Sequence, residues 1–178
     1  MKNPLWVIRA GEKRQAHDLL ISHGRIVLIE PGLGNLLQLE PTRDAFLSAY
    51  RTLRPNDSPS GSATIAKGNF FRFVHDMKRE DTVLYLSVKE RHVYVGTVTG
   101  DYMYDLSFSV EYPHQRTVTW KFVFPMTELS ESARGEFGAA RSFYMYQRHV
   151  SEVLTVINGD KSYSFLDWMN RSKRHISH

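Results

Sequence analysis

The chain has 178 residues, 42% of them hydrophobic, which is enough for one domain with its own buried core. It has no cysteine, which excludes disulfides, thiolate zinc sites and thiol nucleophiles, and it has neither a membrane-length apolar run nor a signal-peptide pattern, so we expect a cytoplasmic protein with no membrane partner. The 23 Lys and Arg residues exceed the 19 Asp and Glu residues, giving a formal net charge of +4, a modest basic excess that suits nucleic acid but also an ordinary solvated surface.

Strands and helices alternate in the first part of the sequence. Clusters of β-branched and aliphatic residues predict strands, and apolar residues three or four positions apart predict helices. The segment at 30–35 is rich in glycine but lacks the Lys and the Ser or Thr of a phosphate-binding loop, so it is predicted to be a turn. The predicted elements are a strand over Leu5–Ala10, a helix over Glu12–His23, a strand over Arg25–Ile29, a helix over Pro41–Leu53 capped by Thr42, and a helix over Ser62–Lys78.

The stretch that begins at Asp81 predicts the centre of a sheet. Residues 83–88 alternate between two apolar faces, a turn at 89–91 follows, and two further strands lead to an end near Trp120. Because apolar residues fall on both faces, this sheet must be covered on both faces or curled on itself. We therefore predict an α+β fold, with a small, strongly bent mixed β-sheet or barrel flanked by helices.

The end of the sequence predicts a short helix capped by Thr127, a strand over Ser142–Gln147 and a helix over His149–Ile157. These elements complete a predicted domain over residues 1–159. Residues 160–178 are predicted to be a C-terminal appendage that ends in a basic tail. Its apolar residues are expected to dock on the domain, and they are Phe165, Leu166, Trp168 and Met169.

Five blocks of the sequence occur in the order found in one known module. The central blocks are VGTVTGDYMYD from Val95 and EYPHQRTVTW from Glu111. The outer blocks are WVIRAG from Trp6, NFFRFVHDMKREDTVLY from Asn69 and MTELSESARGEFGAARSF from Met126. Together they resemble the N-terminal PUA-like, or EVE-like, module of Mrr-type restriction endonucleases. The resemblance implies a PUA-like fold that binds DNA, in preference to RNA, as the sensor part of a restriction or phage-defence system, with a nuclease domain or subunit as a candidate partner.

No set of residues in the sequence is suited to catalysis. An Mrr-type nuclease needs carboxylates and a Lys around a metal ion, and the nearest match, Asp81 followed by Lys89, lacks the second acid. The eight histidines do not cluster at metal-ligand spacing, and no arrangement of Ser, His and Asp suggests a triad. We therefore expect a non-enzymatic chain with no catalytic residue, no metal site and no cofactor.

The resemblance also implies a pocket for a flipped, often modified base, in which aromatic rings stack on the base and polar groups read its edge. Glu30 stands out because it follows a buried strand where relatives of the module often have an aromatic residue, and its carboxylate would accept from an amine such as cytosine N4. The alternative for each ring is a place in the core, which is our interpretation of Trp120. The candidate base-pocket residues are Trp6, Glu30, Asn69, Phe70, Tyr85, Asp101, Tyr102 and Tyr104.

Phosphate contacts require exposed cations around such a pocket. The candidates are Arg9, Arg25, Lys67, Arg72, Arg91, Arg116 and Lys121. Two other functions stay open at this point: an RNA-binding PUA-like domain, and a protein-interaction module with no nucleic-acid ligand. A preference for structured RNA in competition would favour the first, and a stable protein complex without retention on heparin would favour the second.

Overall fold

The structure, a computed structural model, describes residues 4–9, 14–56, 68–137 and 143–175. Its strands are β1 (Leu5–Ile8), β2 (Arg25–Leu28), β3 (Thr82–Ser87), β4 (His92–Val98), β5 (Met103–Tyr104), β6 (His114–Pro125), β7 (Phe143–Tyr146) and β8 (Tyr163–Ser164). Its helices are α1 (Arg14–His23), α2 (Arg43–Leu53), α3 (residues 68–71, continued by a π-helical turn at Arg72–Asp76), α4 (Glu131–Phe137), α5 (Val150–Asn158) and α6 (Phe165–His175). Short 3-10 turns occupy Pro31–Leu33, Leu36–Gln38 and Met126–Glu128.

These strands form one mixed sheet that curls into a half-barrel flanked by helices. The strand order is β2-β6-β4-β3-β1-β7, and β5 and β8 add to β6. β1 runs parallel to β3, and the other described strand pairs are antiparallel. The predicted α+β class with a strongly bent mixed sheet is therefore confirmed, and the architecture is consistent with a PUA-like fold.

The 12-residue strand β6 bends the sheet. Its first residues pair with β2 and β5, and its later residues pair with β4 and β8. The register with β4 shifts between Val95 and Gly96, which leaves Lys121 as an extra residue in a β-bulge. A Cβ atom on Gly96 would lie 2.8 Å from the Trp120 ring, so glycine at this position lets the indole lie across β4.

Both faces of the sheet are buried, as the alternation of apolar residues predicts. On one face, residues such as Val83 and Tyr94 pack with α1, α2 and α3. On the other face, residues such as Leu84 pack with α4 and α5. The core interpretation of Trp120 is confirmed, because its ring is 6% exposed and its Nε1–H donates to the carbonyl of Leu20 at 2.6 Å.

Two local predictions are wrong. The third central strand does not end near Trp120 but continues to Pro125, because the bulge lets β6 bend and still pair with β4. Thr127 does not cap a helix, since it lies in a 3-10 turn. The helix α4 begins after Ser130 instead, whose Oγ accepts from the N–H of Ala133 at 3.2 Å.

Other predicted helices are found with shorter bounds. Thr42 caps α2 as expected, because its Oγ1 accepts from the N–H of Ala45 at 3.2 Å. The helix predicted over Ser62–Lys78 ends at Asp76, and its first residues lie outside the described part of the chain. None of the helices in the described ranges is long and apolar enough to cross a membrane.

The segment after α5 packs on the half-barrel. β8 pairs with residues of β6, and Phe165, Trp168 and Met169 of α6 contact the core that lies under α1 and α2. Leu166, which was also expected to dock, is 74% exposed. The predicted basic tail begins at Arg171, whose guanidinium lies 5.3 Å from the centre of the Tyr163 ring.

Candidate nucleic-acid interface

Strand ends bring several candidate base-pocket residues together around a histidine, His114. Leu28 ends β2 and Tyr104 ends β5, and both residues pair with His114 at the start of β6. The ring centroids of Phe70, Tyr102 and Tyr104 lie 5.8, 6.0 and 5.5 Å from that of His114. We name this group the His114 cluster, and it consists of Glu30, Phe70, Tyr102, Tyr104 and His114, with Asn69 included because it directly precedes Phe70 in α3.

The centre of the cluster is a buried, uncharged hydrogen-bond chain. The N–H of Leu36 donates to Tyr102 Oη at 3.2 Å, and Tyr102 Oη donates to His114 Nδ1 at 2.8 Å. His114 Nε2 donates to the carbonyl oxygen of Glu30 at 2.8 Å, which places the proton on Nε2. Burial lowers the pKa of His114 and raises the pKa of Tyr102 to about 12, so both groups stay neutral at physiological pH.

Asn69 and Tyr104 are the members of the cluster with polar groups left for a ligand. Asn69 is only 7% exposed, yet within the described part of the chain its side-chain amide makes no hydrogen bond. Tyr104 is half-buried, and its ring is tilted by 48° to that of His114. Its hydroxyl likewise has no hydrogen-bond partner among the described residues. The Asn69 amide is not among the buried polar groups that lack a partner in the described residues, so it reaches solvent and can hydrogen-bond a ligand.

The carboxylate of Glu30 is already bound. One nitrogen of Arg54 lies 3.1 Å from its Oε1 and 3.2 Å from its Oε2. The Glu30 side chain is 13% exposed and the Arg54 side chain 51% exposed, so the pair shields the carboxylate and leaves the cation at the surface. The Glu30 carboxylate is therefore not free to accept from the amine of a base, and Glu30 contributes its backbone carbonyl to the cluster.

Trp6 and Tyr85 lie in the core and not in the His114 cluster. The Trp6 ring is 1% exposed, stacks on Phe143 at 5.1 Å and donates from Nε1 to the Asp81 carboxylate at 2.8 Å. Tyr85 is 3% exposed, and its hydroxyl is 2.8 Å from His17 Nδ1. Neither ring has a face free to stack on a base, so both are corrected from pocket walls to core residues.

Asp101 is also apart from the cluster. Its exposed carboxylate forms an ion pair with Arg79, with the closest nitrogen and oxygen 2.8 Å apart. That hydrogen bond holds the pKa of Asp101 below its usual value. Asp101 is thus occupied by Arg79 at the surface and is corrected from a base-pocket residue to a surface residue.

Two of the candidate phosphate ligands, Arg25 and Arg72, are linked to the cluster by strand register or sequence position. Arg25 pairs with Thr117 in β6, three residues after His114. Arg72 follows Phe70 in α3 by two residues, is half-buried, and its side chain makes no ion pair or hydrogen bond within the described ranges. Arg25 and Arg72 are therefore the candidate phosphate ligands to test with the cluster.

The other candidate cations are differently placed. Arg9, Arg91 and Lys121 lie toward the β3–β4 turn, at the end of the sheet away from His114. Lys67 lies outside the described residues. Arg116 is 3% exposed, so it is corrected from a phosphate ligand to a buried residue. Its guanidinium donates to the carbonyls of Phe73, Val74 and Gly100 at 2.8, 3.0 and 3.1 Å.

Sequence reasoning missed His114 as the centre of the site. It weighed the histidines as metal ligands, and their spacing is unsuited to that role. The available signal was the alternation in β6, where His114 shares a period of two with Val118 and Trp120 and so faces inward. The bonds to Glu30 and Tyr102 depend on strand pairing between distant segments, which no local pattern reports.

A second polar group, formed by Glu90, Tyr94 and His17, lies at the β3–β4 turn, at the end of the sheet away from His114. Glu90 accepts a hydrogen bond from the Tyr94 hydroxyl, and its Oε1 is 3.5 Å from His17 Nε2. The hydrogen bond from His17 is the main reason that the pKa of Glu90 falls from 4.5 to about 2, and Tyr94 adds to it against the opposing effect of burial. Glu90 thereby links the β3–β4 turn to α1.

We expect the Glu90→Gln variant to be less stable than the parent at neutral pH, by a margin that shrinks in acid. Because the folded-state pKa is below the unfolded one, the ionised Glu90 stabilises the fold above pH 4.5, and this contribution is lost as the pH falls toward about 2. Urea unfolding of both proteins from pH 7 to pH 2 measures the gap. A gap that stays constant over this range would show that Glu90 titrates normally.

One family model, described as Domain of unknown function (DUF8426), matches residues 6–147. The match spans every described member of the His114 cluster, from Glu30 to His114. No curated protein matches the sequence.

Proposed function

The chain belongs to the DUF8426 family, a domain of unknown function, and we propose from its own geometry that it binds DNA and holds an unpaired, modified base at the His114 cluster. It acts as the sensor part of a restriction or phage-defence system, and the nuclease is on another domain or subunit. The observation that supports this most is the gathering of three aromatic rings, those of Phe70, Tyr102 and Tyr104, around the buried His114, with the Tyr104 ring half-buried.

The cluster has the groups that offset the cost of unpairing a base. Taking a base out of a duplex costs a few kcal/mol, and least when the base is modified or mismatched. Stacking on the Tyr104 ring returns about 1–3 kcal/mol. The Asn69 amide has one acceptor and two donor hydrogens, which match the hydrogen-bonding edge of a base and favour the base whose pattern completes them.

The neutral centre of the cluster supports this role. His114 and Tyr102 carry no charge and share a hydrogen bond of 2.8 Å. They therefore form a fixed, uncharged surface of ring atoms and polar atoms behind the ligand. A protonated histidine here would have repelled Arg25 and Arg72 and attracted phosphate into the base site. An uncharged surface favours a heterocycle, and the cations around it favour the sugar–phosphate backbone.

We expect Asn69→Ala to remove the discrimination between modified and unmodified DNA. Fluorescence anisotropy with duplexes that carry 5-methyl, 5-hydroxymethyl or N6-methyl bases, or none, gives the affinity of the parent and the variant. The parent should prefer one modification, and the variant should lose that preference by about tenfold because the unpaired edge of the base is then penalised. The salt dependence of the affinity should be the same for both proteins, since Asn69 contacts no phosphate.

The same assay contains the outcomes that oppose the proposal. Parent protein that binds none of the duplexes, or binds all of them equally, would contradict base sensing. A competition with structured RNA decides between DNA and RNA, because displacement by RNA at lower concentration would replace the DNA proposal with an RNA one. Absence of binding to either nucleic acid would favour a protein partner.

A further inference from the structure

The loop between β5 and β6, residues 105–113, presents a group of exposed apolar side chains. Leu106 is 48% exposed, Phe108 36% and Val110 72%. Single exposed apolar residues are normal on protein surfaces, but three within five residues form a patch that indicates a contact. Pro113 ends this loop directly before His114, and Phe108 contacts Arg25 and His23 at the start of β2, the strand whose last residue pairs with His114.

Hydrogen bonds fix the shape of this loop. Asp105 Oδ1 accepts from the N–H of Ser107 at 3.0 Å, from its hydroxyl at 2.6 Å and from the N–H of Phe108 at 3.2 Å. The N–H of Asp105 donates to the carbonyl of Pro113 at 2.9 Å, which closes the loop at its base. The loop therefore holds its apolar side chains outward before any partner binds.

Phe108 is an anchor of the loop, and Leu106 and Val110 are its more exposed residues. The Arg25 guanidinium lies 5.2 Å from the centre of the Phe108 ring, and the His23 ring meets the same ring edge-on at 5.1 Å. Ile29, which follows β2 and is 49% exposed, adds apolar surface next to the cluster. The loop therefore combines exposed apolar side chains with the Arg25 cation, which lies against Phe108. This combination suits a step in DNA, where stacked bases are flanked by phosphates.

Resting on the proposed function, we propose that Leu106 and Val110 enter the DNA duplex and fill the gap that the unpaired base leaves. A vacated position in the stack is an apolar slot bordered by phosphates, and apolar side chains are known to occupy such steps and hold them open. The loop acts on the duplex when the base pair opens, and the His114 cluster binds the base that has left the stack. The loop is therefore needed for paired DNA and dispensable for DNA that is already open.

The test compares two duplexes that differ only at the target base. In one duplex the base is paired, and in the other it faces an abasic site and needs no opening. We expect the double variant Leu106→Ser with Val110→Ser to lose about tenfold in affinity for the paired duplex and to bind the open duplex like the parent. The matched control is Val88→Ser, 62% exposed in the β3–β4 turn at the other end of the sheet, which should change neither affinity.

The outcomes separate this inference from the proposed function. If the parent binds both duplexes and the double variant loses affinity for both equally, or for neither, the loop does not open DNA although the base site stands. If the parent binds neither duplex, the base site itself is absent and the inference falls with it. Urea midpoints of the three proteins should agree, because all the substituted side chains are exposed.

Discussion

Arg116→Ala should destabilise the fold by about 3–5 kcal/mol, the largest effect we expect from a substitution of a charged residue in this chain. The Arg116 guanidinium donates to three backbone carbonyls, two of them at the π-helical turn of α3 and one at Gly100. Its removal leaves these acceptors buried without donors and opens a cavity beside the Phe73 ring, over which the guanidinium lies at 5.9 Å. Both effects act on the segment that positions Asn69.

The free energy of unfolding in urea measures this effect. The matched control is Lys121→Ala, an exposed cation on the same strand, which should leave the free energy of unfolding nearly unchanged. Arg116→Lys should retain only part of the stability, because an ammonium group cannot span the three carbonyls. If Arg116→Ala keeps full stability and instead lowers the salt dependence of DNA binding, Arg116 is a phosphate ligand and not a buried structural residue.

Tyr104→Ala should weaken binding to the preferred modified duplex by roughly 5- to 150-fold, which corresponds to the loss of about 1–3 kcal/mol of stacking. The Tyr104 ring lies 5.5 Å from the His114 ring and is half-buried, so part of the ring is open to a ligand. The loss should be larger for the modified duplex than for the unmodified one. In the unmodified duplex the base stays paired, and the ring has less to contact.

Tyr104→Phe is the matched control, because it keeps the ring and removes only the hydroxyl. It should retain most of the affinity, while the alanine variant loses it, in the same anisotropy titration. Near-equal affinity of the alanine variant and the parent would mean that no base stacks at this position. An unfolding measurement on each variant is needed alongside, since Tyr104 also contacts His114.

The sheet was predictable because its signal is local. Alternation with a period of two in residues 83–88 placed Val83 and Leu84 on opposite faces, and the structure has them in two different cores. The same alternation also predicted which residues are buried, even where a charge or an aromatic ring suggested a role at the surface. Tyr85 shares the face of Val83, so its burial followed from the pattern, although its ring suggested a base platform.

Arg116 is the clearest case of this conflict. A cation in a basic sequence is more often exposed. In β6, however, Arg116 lies on the same face of the strand as His114 and Val118, which point into the core. What makes its burial tolerable is a set of carbonyls from α3, more than 40 residues away in sequence. The π-helical turn that exposes these carbonyls leaves no mark in the residue pattern, so the partner set was not predictable.

The candidate site was predictable only in part, for a related reason. Phe70, Tyr102 and Tyr104 came from the ordered sequence blocks, and the structure brings their rings to one histidine. The ion pair between Glu30 and Arg54 joins residues 24 positions apart, because the end of α2 lies next to the loop that follows β2. Such a pairing depends on tertiary geometry, and it changes which residue of the site is free to read a base.

Nuclear magnetic resonance of the labelled chain with a duplex that carries the preferred modification tests the central claim most directly, because it reports where DNA binds residue by residue. The proposed site predicts the largest shifts at the side-chain amide of Asn69 and the backbone amides of residues 70–72 and 102–116. Val88 and the residues of α5 should shift little. Saturating DNA that leaves the Asn69 amide unmoved, or that shifts only α5 and α6, would contradict a base site at His114.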